Sequence, residues 1–105
     1  MICTETRNRI RLSVAAWAYE RHDHPIMSDA EFDHLALSID LNKSTSRPDL
    51  DDWWRDNFNP STGMWVLRHP ESEGLERIYQ TMHASRTRWE VLLQRLLERS
   101  GDSFN

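Results

Sequence analysis

The chain has 105 residues and a mass of 12.5 kDa, the size of one domain, and its single cysteine excludes an internal disulfide or a cysteine-rich metal site. Seventeen Asp and Glu against thirteen Lys and Arg give a net charge of −4, which argues against nonspecific nucleic-acid binding, since that needs a cationic face. The balance permits a basic or neutral protein partner, and it falls short of the charge density of a nucleic-acid mimic.

The first predicted helix covers 5–22, where Ile10, Val14, Trp17 and Arg21 stack at helical spacing beside Leu12, Ala15, Ala16 and Tyr19. Asp23-His24-Pro25 ends it, because the residue before a proline is pushed out of helical geometry. Ser28 and Glu31 have the spacing of a capping box and open a second helix over 29–39, with Phe32, Leu35, Ala36 and Ile39 as its buried stripe. Together they make a helical hairpin, 5–39.

Residues 40–47 are polar and read as a loop. Pro48 suits a first helical position, and Leu50, Trp53 and Trp54 follow in a short helix ending near Asn57. After the turn at 59–63, Met64-Trp65-Val66-Leu67 is too brief to classify and is compatible with an extended segment. From Ser72 to about residue 99, Leu75, Ile78, Tyr79, Met82, Trp89, Leu92, Leu93, Leu96 and Leu97 keep a helical rhythm, with Gly101 at the expected stop. The expectation is one small all-α domain of three or four helices over 1–105: the hairpin, a Trp-rich segment (48–70) and a long C-terminal helix (72–99).

The order Tyr19, Asp23-His24-Pro25, Asp29-Ala30-Glu31-Phe32-Asp33 is the most specific pattern in the chain. It resembles the N-terminal helical hairpin of NAD-dependent DNA ligases, which grips the nicotinamide mononucleotide half of NAD. The resemblance implies a nucleotide-contacting role for Tyr19, Asp29, Phe32 and Asp33, with NMN or NAD as the ligand. Phe32 stands where that family has Tyr and so lacks its hydroxyl. Glu20 stands where the family carries His or Tyr, and a carboxylate there repels a phosphate. The ligase nucleophile motif Lys-x-Asp-Gly is missing, since the one lysine, Lys43, precedes Ser-Thr-Ser. Adenylation and ligase activity are therefore excluded. The same hairpin residues also have a purely structural reading: Asp29 at a helix start favoured by the dipole, Ser28 and Glu31 as a cap, Tyr19 and Phe32 packing two helices together.

A second cluster is aromatic. Adjacent Trp53 and Trp54 point about 100° apart on a helix, so at most one faces the core squarely. With five tryptophans in a chain only 38% hydrophobic, some are expected half exposed. The first reading is that these rings complete a lean core; the second is an exposed aromatic patch, with Trp54 and Trp65 as candidate partner-binding anchors. The acidic run Asp49, Asp51 and Asp52 is a candidate for a basic groove, or simply sits well at a helix start. His22, His24 and His34 with Asp29 and Asp33 lack the spacing that aims metal ligands together, so no metal is expected. No nucleophile motif is present, and no enzyme activity is expected.

Arg9 to Tyr19, Asp29 to Asp33, Ser61-Thr62-Gly63-Met64-Trp65 and His69-Pro70 together resemble a family of small phage and prophage proteins, over about residues 9–79. That family has no assigned activity, so the resemblance implies a phage-type origin. The functional expectation is a non-enzymatic interaction protein that inhibits a host defence complex of the CRISPR type, or a nucleic-acid-processing complex, by binding a host protein. The alternative is a nicotinamide nucleotide-binding module. No run of ~18 apolar residues and no secretory signal is present, so the host cytoplasm is the expected location. The apolar stripe past Trp89 either finishes the core or seals a homodimer.

Overall fold

Alanine-rich sequence makes the first helix, α1 (Thr4–His22), the axis of the computed structural model, which describes residues 3–84. Leu12 through Ala18 are all buried, because the small Ala15, Ala16 and Ala18 let neighbours approach on every side. Cys3 caps its start, with Sγ accepting the Thr6 N–H at 3.5 Å. Its end is made by Asp23, which takes the left-handed conformation at φ 49° and ψ 41°. Short polar side chains tolerate that region. The stop therefore comes two residues ahead of Pro25. Tyr19, expected on a packing face, is 55% exposed.

The second helix, α2 (Asp29–Ser38), begins with the expected cap: Ser28 Oγ accepts the Glu31 N–H at 3.1 Å and donates to Glu31 Oε1 at 3.0 Å. Leu35 and Ala36 are buried, while Phe32 and Ile39 pack half-buried at the core margin. The third, α3 (Pro48–Asn57), starts at Pro48 as the sequence indicates. Met64–Arg68 is a 3₁₀ turn rather than an extended segment, and Val66 N–H bonds back to the Gly63 carbonyl at 3.1 Å. The last helix, α4, is described over Ser72–Ala84, burying Leu75, Ile78, Tyr79 and Met82. Its predicted continuation to residue 99, the stop at Gly101 and the homodimer seam lie outside the described residues.

Helices α2 and α4 and the 3₁₀ turn pack around α1. Among the described residues there is no strand, and the fold is all-α. The floor of the core is aromatic: the Trp54 and Trp65 rings lie 4.8 Å apart, and Phe58 sits 5.0 Å from Trp54 and 5.2 Å from Trp65. This agrees with the core-filling reading and corrects the placing of Trp54 and Trp65 as partner-binding anchors. Trp54 and Trp65 are 2% and 1% exposed, and Trp65 Nε1 is satisfied by the Thr62 carbonyl at 2.7 Å. Neither has a face left for a partner. Trp53, the adjacent ring, takes the boundary position and leans on His69 at 4.7 Å.

Asp51 is a second correction, since it is 3% exposed and belongs to a buried polar network centred on Arg9. Arg9 Nε donates to Glu5 at 2.7 Å and Nη1 to Asp51 at 2.9 Å, while Nη2 donates to the Asp40 and Lys43 carbonyls at 2.8 and 3.2 Å. Thr45 completes the network, its N–H and Oγ1 donating to Asp51 at 2.8 and 2.6 Å. Burial alone would raise the Asp51 carboxyl; the hydrogen bonds from Thr45, with the Arg9 charge, outweigh it and hold the group below its ordinary value. A polar loop is thereby bolted to two helices.

Candidate functional site

Gly63 is where three elements meet. A Cβ there would stand 3.3 Å from Ala16 Cβ, 3.6 Å from Phe32 Cζ and 3.7 Å from Glu20 Oε1, so the 3₁₀ turn lies close against α1 and a side chain larger than a methyl would press on Ala16. Phe32 beside it is half-buried, packed against the core margin. The other three ligase-like residues face solvent: Tyr19, Asp29 and Asp33 are exposed and make no side-chain hydrogen bond among the described residues.

The charge distribution around this hairpin is lopsided. Residues 19–40 carry six carboxylates (Glu20, Asp23, Asp29, Glu31, Asp33 and Asp40) and one cation, Arg21, a net of −5 where the whole chain has −4. Among the described residues none of the six forms an ion pair, and the Arg21 guanidinium lies over the Trp17 ring at 5.6 Å. Asp49 and Asp52 of the predicted acidic run are different. Asp49 pairs with Arg47 at 2.8 Å, which holds its carboxyl below the ordinary value. Arg47 also reaches Glu71 at 2.9 Å, and Asp52 pairs with Arg55. Among the described residues the unpaired acids thus concentrate on the hairpin, while the three acids of the predicted run are each paired with an arginine. Beside it Met64 and Leu67 are 59% and 44% exposed, and a spacing of three in a 3₁₀ turn puts both on one edge.

A second cluster, unforeseen in the sequence, joins the end of α1 to α4. Glu76 accepts from Gln80 Nε2 at 2.6 Å, His22 Nε2 at 2.7 Å and Trp17 Nε1 at 2.8 Å, and these bonds, Gln80 first, pull its carboxyl down to about 2. His22 stacks on Tyr79 with centroids 4.0 Å apart, and His24 Nδ1 meets the Tyr79 hydroxyl at 3.0 Å. His83 lies 5.4 Å from His24. An open pocket of about 180 Å³ is lined by His24, Ile26, Tyr79, Met82 and His83. His22 and His24 thus turn toward α4 rather than toward His34, Asp29 and Asp33. Among the described residues no three His, Cys, Asp or Glu side chains are grouped to hold a metal. The available signal was on α4, where Glu76, Tyr79, Gln80 and His83 share one face at three-and-four spacing.

No described helix is long and apolar enough to cross a membrane. Compared with protein-family models, curated proteins and solved structures, the chain matches none.

Proposed function

We propose that this chain is a non-enzymatic, phage-type interaction protein that inhibits a host defence or nucleic-acid-processing complex by binding one of its proteins. The observation that carries this reading is the uncompensated charge of the hairpin, net −5 over residues 19–40, beside the exposed apolar edge of Met64 and Leu67. Proteins that handle nucleic acid present cationic surfaces to phosphates. An acidic surface with an apolar margin is complementary to such a surface, and occupying it blocks the nucleic acid. Asp29, Asp33 and Met64 replace Asp51, Trp54 and Trp65 as the contact residues.

The test is phage plating on a host whose CRISPR system restricts that phage, with and without this protein expressed. Restored plaquing that disappears in the Asp29→Lys/Asp33→Lys variant, with its thermal midpoint intact, supports the reading. Restriction left in place across a panel of defence systems overturns it.

A second reading, a nicotinamide nucleotide module, is favoured by the exposure of Tyr19, Asp29 and Asp33, the last two in no ion pair among the described residues, since a cationic nicotinamide ring suits aromatic faces and carboxylates. Calorimetry with nicotinamide mononucleotide decides it. Heat lost in Asp29→Ala supports binding, and a flat titration removes the reading.

A further inference from the structure

We propose that His24, Met82 and His83 form a binding site for a soft monovalent cation of the Cu(I) class. The three side chains line one pocket between the hairpin turn and α4. A metal–nitrogen bond of ~2.0 Å puts each imidazole centroid about 3 Å from the ion, so two rings sharing it at roughly 110–120° have centroids about 5–5.5 Å apart. The His24 and His83 centroids are 5.4 Å apart.

The surroundings favour the same assignment. Metal-binding imidazoles are ordinarily oriented through the ring nitrogen that does not bind. His24 has that bond, from Nδ1 to the Tyr79 hydroxyl at 3.0 Å, which in the ligating tautomer leaves the Nε2 lone pair for the ion. His83 has no side-chain hydrogen bond among the described residues, so both its nitrogens are open. The third imidazole, His22, is excluded because its Nε2 is held by Glu76 at 2.7 Å. Glu76 in turn is occupied by Trp17 and Gln80, and no carboxylate lines the pocket. Hard divalent cations need oxygen ligands, whereas two imidazoles and a thioether select a soft ion. The ion binds without change of oxidation state. Tyr79 acts as a positioning residue, through His24. This site is independent of the partner surface, which rests on α2 and the 3₁₀ turn.

The test is an anaerobic titration of the full chain with Cu(I) against a competing chelator, in a Cys3→Ser background that removes the one thiol. Ag(I) serves as the probe for nuclear magnetic resonance. One equivalent should bind, moving the Met82 methyl and the His24 and His83 ring signals. His83→Gln, at an exposed position, and Met82→Leu should each weaken binding at least tenfold, and Tyr79→Phe by about tenfold, as loss of an outer partner does. Metal-free thermal midpoints report whether each variant is folded. Absence of binding, affinity unchanged in His83→Gln, or shifts confined to Met27 and Met64 would overturn the assignment.

Discussion

Removing the Arg9 guanidinium would strand two carboxylates, Glu5 and Asp51, which are only 5% and 3% exposed. Breaking a buried pair by deleting one partner costs about 3–5 kcal/mol, because the remaining charge stays desolvated. Arg9→Ala is therefore expected to lose about that much stability in urea denaturation. Arg9→Lys should recover little of it, since a single ammonium cannot span the four acceptors that the planar fork reaches. A loss under 1 kcal/mol for Arg9→Ala would mean that water enters to solvate the acids. Nothing local announces Arg9 in the sequence: Glu5 is its helical neighbour, but Asp51 lies 42 positions away. Asp51 therefore read as one of three equivalent surface acids, and only the packed structure separates it from Asp49 and Asp52.

Among elements, those set by local chemistry were legible and those set by packing were not. Ser28 with Glu31, and Pro48 at a first position, fix two helix starts from a few neighbouring residues. The 3₁₀ turn at Met64–Arg68 has no such signature, because four apolar residues in a row suit several backbones equally. What decides it is Gly63, whose missing Cβ lets the turn settle against Ala16. Gly63→Ala should be mildly destabilising at a 3.3 Å approach. Gly63→Val should cost about 1–3 kcal/mol by overpacking. Equal denaturation midpoints for Gly63→Val and the parent would place the control of this junction elsewhere. The candidate site shows the same division. Asp29 was readable at a helix start, whereas the packing of Phe32 against the core depends on tertiary contact.

For the whole molecule, acid is the condition that tests the most packing at once. Burial pushes the His69 imidazole from 6.5 down to about 4, against a smaller opposing pull from Glu71. Its Nδ1 accepts the Glu71 N–H at 3.0 Å, as a neutral ring does. Between those values the unfolded chain binds a proton that the folded chain refuses. The stability that neutral His69 contributes is thus complete above pH 6.5 and lost as pH falls toward 4, about 3 kcal/mol in all. Glu76 adds a lower window, its contribution present above 4.5 and lost as pH falls toward 2. Stability measured against pH should therefore fall in two stages, and His69→Gln should flatten the upper one. An unchanged upper slope in that variant would remove His69 as the cause of the loss.

The reach of Arg9 also sets an order of events. Three of its four acceptors lie 31, 34 and 42 positions downstream, and Trp17 on the same helix waits for Glu76, 59 positions on. On the ribosome α1 emerges before these partners, so until they follow Arg9 has only Glu5 and the Trp17 indole lacks Glu76. Bringing such distant groups together is slow, because loop closure precedes any reward. The half-made chain consequently has little reason to settle into a stable intermediate. The central helix is thus made before the elements that secure it.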